Sequence, residues 1–293
     1  MSRVLIVGGD STLGAACATA FAAIGATVFS TTRRSASVAP QRPYLDLATL
    51  PRSSNLPAAD ICVLAAGEAS IVHCEQQPDR TARINVDATL SVGSDMAKQG
   101  AFVLLLSTTQ VFDGSKSRHK PTDVPSPVSA YGRQKLAAEQ GILSFGGQGA
   151  VLRVSKVLSP RLRLVTKWRE ALDAGRPVEA FEDMRFAPLN LDTATAAVLA
   201  ICRQRSSGTF HASGDEDLTY VDLAAAVTAA LGADPASVRR LRAAGRMPAI
   251  LLPEHTALDC GELEGLGWKQ EPSRAALSRY VASLHIGPVS AQR

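Results

Sequence analysis

Long hydrophobic runs are absent from the 293-residue sequence. No apolar stretch approaches the roughly 18 residues of a membrane span, and Ala101–Leu106 is typical of what exists, so no membrane partner is expected. The start, MSRVLIVGGD, lacks the extended apolar region and small-residue cleavage site of a secretory signal. Cysteine is sparse. Cys17, Cys62, Cys74, Cys202 and Cys260 are far apart and form no CxxC, which argues against a disulfide scaffold or a zinc site and for a reducing, cytoplasmic setting. His73, His119, His211, His255 and His285 show no HxH or HExxH spacing, so no metal is expected. Charge of one sign is also missing: 31 Lys+Arg against 27 Asp+Glu leaves a net +4, too little to mark a nucleic-acid partner. Arg239, Arg240, Arg242 and Arg246 read as loop surface, without the interleaved aromatics of an RNA site, and Glu254, Glu262, Glu264 and Glu271 read as a solvated face. Aromatics are only 5% of residues, so the core is expected to be small aliphatic packing.

What is present is ordinary globular composition, 46% hydrophobic and 20% charged. Val4–Val7, Thr27–Thr31, Ile61–Ala65, Phe102–Leu106 and Ala150–Val154 are short runs with strand character. Helix-compatible stretches separate them at Thr12–Ile24, Asp79–Gln99 and Ser129–Leu143. Buried strands alternating with helices predict an α/β protein with a doubly wound parallel sheet of Rossmann type. The second half is less regular and punctuated by proline, with helices expected at Leu162–Gly175, Thr193–Gln204 and Tyr220–Leu231 and a brief strand at Gly208–His211. The expected division is a dinucleotide-binding domain over 1–158, with 191–212 returning to it. A smaller, mixed C-terminal substrate region would comprise 159–190 and 213–293.

VLIVGGDSTLG reads as a strand, a glycine turn and a helix start. Gly8 permits the turn, Gly14 lets the helix pack close to the sheet, and free amides at the helix N-terminus can hold a pyrophosphate. The middle position, Ser11, is expected to cap the helix while pushing a side chain towards the phosphates. At the second strand end an acid would accept from a ribose 2′-hydroxyl, whereas arginine matches a 2′-phosphate. The residues there are Ser30-Thr31-Thr32-Arg33-Arg34, with no acid, which favours NADP(H) over NAD(H).

Tyr131 and Lys135 are spaced i, i+4, on one helical face. A free phenol, with pKa about 10, is a poor acid–base group at neutral pH. An ammonium 4–6 Å away would favour the phenolate by about 3–4 kcal/mol at an effective dielectric near 20, which predicts a Tyr131 pKa close to working pH. Upstream, Leu104-Leu105-Leu106-Ser107-Thr108-Thr109 ends a buried strand in hydroxyls, at the edge where open α/β sheets bind ligands.

In this combination the sequence resembles the extended short-chain dehydrogenases/reductases, and among them is most similar to the dTDP-4-dehydrorhamnose reductase group. The group's Ser-Thr-Asp-Tyr-Val-Phe-Asp-Gly segment is matched by Ser107-Thr108-Thr109-Gln110-Val111-Phe112-Asp113-Gly114, and a second likeness runs from Ser129 to Glu139. Weaker echoes are Leu152–Ser155, Phe186-Ala187-Pro188, Gly208–His211 and Pro253–Asp259.

The resemblance implies that Thr108, Tyr131 and Lys135 are the catalytic trio. Tyr131 would protonate a carbonyl oxygen, Lys135 would grip the nicotinamide ribose, and Thr108 would orient the carbonyl. Cofactor contacts are expected from Gly8, Asp10, Ser11, Thr12, Leu13, Gly14, Thr32, Arg33 and Arg34. Asp46 and Leu47 would sit by the adenine, and Ala65, Ala66 and Gly67 along the dinucleotide. Thr109-Gln110 in place of Asp-Tyr, and Lys156 in place of tryptophan or asparagine, bear on the substrate. Arg153, Lys156 and Arg185 are candidate partners for a diphosphate or carboxylate. The expected function is an NADPH-preferring reductase of a nucleotide-activated 4-keto-6-deoxy sugar, acting as a monomer or homodimer. The alternatives are a nucleotide-sugar epimerase or dehydratase that retains NAD(P), or a non-catalytic regulatory subunit of the same fold.

Overall fold

A computed structural model describes residues 2–49, 56–160, 162–246, 248, 250 and 252–284. His285 and the rest of the C-terminal end lie outside them. β1 (Arg3–Val7) leads through a glycine turn into α1 (Thr12–Ala23) and returns as β2 (Thr27–Ser30). β3 (Ile61–Leu64), α2 (Ile71–Gln76), α3 (Pro78–Ala82), a π-helical segment Arg83–Ala88 and α4 (Thr89–Lys98) follow. Next come β4 (Phe102–Thr108), α5 (Ala130–Leu143) and β5 (Gly149–Val154). After a second stretch, α7 (Leu191–Gln204) feeds β10 (Gly208–Ala212). All six strands are parallel, in the order β10-β5-β4-β3-β1-β2.

The runs lack polar alternation because helices cover both sheet faces. Val4, Ile6, Val63 and Leu104 pack towards α7, whereas Leu5, Val7, Cys62 and Leu105 pack towards α4 and α5. Chain order reverses between β1 and β3, so the crevice at their carboxyl ends is the topological switch point where ligands bind in such sheets.

The remaining elements are β6 (Val157–Leu158), α6 (Arg163–Asp173), β7 (Val178–Phe181), β8 (Arg185–Phe186), β9 (Leu189–Asn190), β11 (Leu218–Thr219), α8 (Tyr220–Ala230), β12 (Val238–Leu241), α9 (Gly261–Glu264) and α10 (Ser273–Ser283). Of these, the ones carrying Arg185 and Tyr220 border the carboxyl end of β4, and the one carrying Leu263 packs with α7 on a sheet face. Three two-stranded pairings, β6/β9, β7/β12 and β8/β11, stitch this part together. α8 opens on a full capping box, in which the Thr219 hydroxyl accepts from the Asp222 amide and the Asp222 carboxylate accepts from Thr219.

Two surface readings need correcting. The basic stretch at Arg239 is a strand, not a loop: β12 pairs with β7, which aligns Arg239 with Glu179 at 3.1 Å, and Arg242 just beyond it lies 3.8 Å from Glu182. Glu271 is not simply solvated. It accepts from the Arg279 guanidinium at 2.9 Å and the Thr193 hydroxyl at 2.8 Å, joining α10 to α7. Among the described residues no helix is long and apolar enough to cross a membrane, and no group of acids, histidines and cysteines could hold a metal ion.

Candidate active site

Gly8 adopts φ +97°, and a Cβ there would lie 2.7 Å from the Ala66 amide nitrogen, so the β1 turn and the β3 end approach to a distance only glycine allows. A Cβ on Gly14 would fall 2.3 Å from the Gly8 carbonyl oxygen. The turn is therefore a cradle shaped by missing side chains, with the N-terminus of α1 opening into it. Ser11 caps α1 as expected: its hydroxyl donates to the Gly8 carbonyl at 2.8 Å and accepts from the Gly14 amide at 3.1 Å. While capping α1 it also lines the cleft above the turn.

A cleft of about 620 Å³ runs from this turn past Asp10, Arg33, Arg34, Asp46 and Leu47 to Ala65, Ala66 and Gly67. Thr32 is buried, and its hydroxyl donates to the Asp10 carboxylate at 2.8 Å. Thr12 is exposed at the start of α1, and Gly14 lies beneath the turn; neither lines the cleft. The donor set suits a dinucleotide: free amides and a close backbone for a pyrophosphate, arginines at the outer end, and an apolar floor.

A second cleft of about 600 Å³ shares Ser11, Ala65, Ala66, Gly67 and Glu68 with the first and continues over the carboxyl end of β4. It gathers Leu13, Thr108, Thr109, Gln110, Tyr131, Lys135, Lys156 and Arg185, residues far apart in the sequence. The Thr108 hydroxyl lies beside the Tyr131 phenol and favours its ionised form, and the Lys135 Nζ donates to the Leu106 carbonyl at 2.7 Å. α5 is aimed by its cap, the Ser129 hydroxyl accepting from the Gly132 amide at 3.0 Å. Gly132 is required because a Cβ would sit 2.1 Å from the Gln110 carbonyl.

The electrostatics differ from the sequence expectation. Burial pushes the Tyr131 phenol up to about 12, reinforced by Cys74 and Glu68, and Thr108 offsets only part of that. Burial draws Lys135 down to about 8, with Glu139 holding it from falling further. The Lys135 Nζ donates to the Leu106 carbonyl, with the Glu139 charge nearby, and burial keeps the Tyr131 phenol in its neutral form.

Arg153 is also reassigned. It is 3% exposed and forks onto Glu139, with Nη2 2.7 Å from Oε2, so it faces the core and not a substrate. Lys156 and Arg185, by contrast, are exposed on the second cleft.

Asn85 was not singled out by spacing. It lies in the π-helical segment, which rotates it inward. Its Oδ1 accepts from the Glu68 amide at 2.8 Å, and its Nδ2 donates to the Glu68 carbonyl at 3.0 Å and to Gln134 at 2.8 Å, fixing the loop between the two clefts. An amide at an otherwise buried helical position was the one available signal.

Fold and site together define the extended short-chain dehydrogenase/reductase class. Within it the chain belongs to the family described as the RmlD substrate binding domain, which matches residues 2–286. A methionine adenosyltransferase 2 subunit beta from Pongo abelii is 30% identical over 224 residues, covering 67% of this chain and 64% of that relative. A dTDP-4-dehydrorhamnose reductase from Sinorhizobium fredii is 30% identical over 195 residues, covering 62% of this chain and 66% of its own. The match thus spans a little under two thirds of these relatives' lengths. Among solved structures, a dTDP-4-dehydrorhamnose reductase from Clostridium acetobutylicum superposes with TM-score 0.84 at 20% identity, over 97% of this chain and all of the other. The UDP-glucose 4-epimerase of Thermus thermophilus in complex with NAD gives 0.82 at 20% identity, over 98% and 100%. At such identities the superpositions bear on the fold alone.

Proposed function

We propose that the protein is an NADPH-preferring reductase of a nucleotide-activated 4-keto-6-deoxy sugar. The observation that carries this reading is the meeting of Thr108, Tyr131 and Lys135 in one cleft continuous with the dinucleotide cradle. When bound, the nicotinamide supplies hydride to the carbonyl carbon. Tyr131, a neutral phenol, donates its proton to the carbonyl oxygen, with Thr108 beside it orienting the carbonyl. Lys135, cationic below about pH 8 and held by the Leu106 carbonyl in the same cleft, would grip the nicotinamide ribose hydroxyls. Lys156 and Arg185 lie where a diphosphate would lie along the second cleft, and Thr109 and Gln110 border the reacting centre. Arg33 and Arg34 at the far end of the first cleft favour a 2′-phosphate.

The test is Tyr131→Phe. Turnover of a keto-sugar nucleotide should fall at least a hundredfold while NADPH affinity stays within a few-fold; full activity would end the mechanism. Following nicotinamide absorbance during turnover separates this reaction from an epimerase or dehydratase, which consumes no net NADPH. A second reading, a binding subunit for another protein, is favoured by the likeness to proteins named as a methionine adenosyltransferase subunit. It is supported if no keto-sugar nucleotide turns over and the purified chain forms a stoichiometric complex with such an enzyme in size-exclusion chromatography.

A further inference from the structure

The acid absent from the second-strand end is supplied from the glycine turn. Asp10 reaches across to the carboxyl end of β2, where its Oδ2 accepts from the Thr32 hydroxyl at 2.8 Å and the Arg33 amide at 3.2 Å. Its Oδ1 accepts from the Arg42 guanidinium at 2.6 Å. The side chain is 21% exposed and lines the same cleft as Arg33 and Arg34. Burial alone would raise its pKa, but the hydrogen bonds from Thr32, Arg42 and the Arg33 amide outweigh it and hold the carboxyl below its ordinary range. Asp10 is therefore an anion throughout the neutral range.

We infer that Asp10 is a specificity-determining residue of the cofactor cleft, set against the arginine pair. A carboxylate at the end of the second strand can accept from a ribose 2′-hydroxyl and repels a 2′-phosphate. Here it comes from a different loop, and its position is fixed by three donors, so it cannot swing away at little cost. Arg42 is the counterweight: it neutralises Asp10 on the side away from Thr32. The preference for NADPH is consequently far smaller than Arg33 and Arg34 alone would give. The inference rests on the dinucleotide reading above.

The experiment is fluorescence titration of the full chain with NADPH and with NADH, for the wild type, Asp10→Asn and Arg42→Met. Asp10→Asn keeps the acceptor for Thr32 and removes the charge. It should tighten NADPH, weaken NADH, and move the ratio of the two Kd values at least tenfold towards NADPH. Arg42→Met leaves Asp10 uncompensated and should move the ratio at least threefold the other way. Opposite shifts from two substitutions in one ion pair are not what a loss of folding produces, and Arg42→Met carries the test if Asp10→Asn does not fold. Equal factors on both nucleotides, or an unmoved ratio, overturn the inference while leaving dinucleotide binding intact. A wild type that binds neither nucleotide overturns the dinucleotide reading, and this inference with it.

Discussion

The Ser107 hydroxyl donates to the Glu139 carboxylate, joining the carboxyl end of β4 to α5 two turns beyond Tyr131. On either side of Ser107, the Leu106 carbonyl holds Lys135 and the Thr108 hydroxyl lies beside Tyr131. Consecutive residues of one strand thus meet successive turns of one helix. Arg153, in register with Ser107 on β5, closes the arrangement by forking onto Glu139, and His211, in register on β10, lies 3.3 Å from the Arg153 guanidinium.

Glu139→Gln retains an acceptor for Ser107 but leaves Arg153 as an uncompensated charge in the core. Breaking a buried pair from one side costs about 3–5 kcal/mol. Urea unfolding should show a loss of that size, and adding Arg153→Met should recover at least half of it. If the double variant is no more stable than Glu139→Gln, the pair is not what stabilises this end of the sheet.

Gly14→Ala places a methyl group 2.3 Å from the Gly8 carbonyl oxygen, a backbone atom that cannot rotate aside, and 2.7 Å from the Ser11 hydroxyl. α1 must shift away from the turn, at a cost of about 1–3 kcal/mol for overpacking. NADPH affinity should fall at least tenfold, because the same shift displaces the helix amides. Gly25→Ala serves as a control: a Cβ there meets nothing within 4 Å, so its effect comes from its φ of +83° and should leave cofactor affinity unchanged.

His211 gives a pH-dependent stability of definite sign. It is fully buried, and burial together with the Arg153 charge holds its pKa down to about 3. The unfolded chain takes up the proton near pH 6.5 and the folded chain refuses it, so stability present above that pH is lost on acidification at up to about 1.4 kcal/mol per pH unit. Urea midpoints measured from pH 7 to 5 should fall more steeply for the wild type than for His211→Gln. Parallel lines for the two would show that His211 carries no such linkage.

The near-continuous β-branched and leucine-rich runs, the glycine turn and the Tyr131–Lys135 spacing determined the sheet, the cradle and the helix face of the site. These are local features, set by backbone sterics and by which faces must leave water. Asn85 escaped because a π-helical segment inserts one residue into the 3.6-residue period, so no count of spacing finds it. Three decisions belonged to the tertiary structure alone: the acid beside Arg33 and Arg34, the burial of Arg153 against Glu139, and the neutrality of the Tyr131 phenol. Each depends on which distant segment supplies the neighbouring charge and how much water is excluded around it. Desolvation and long-range Coulomb interaction act through space, and neither has a period along the chain.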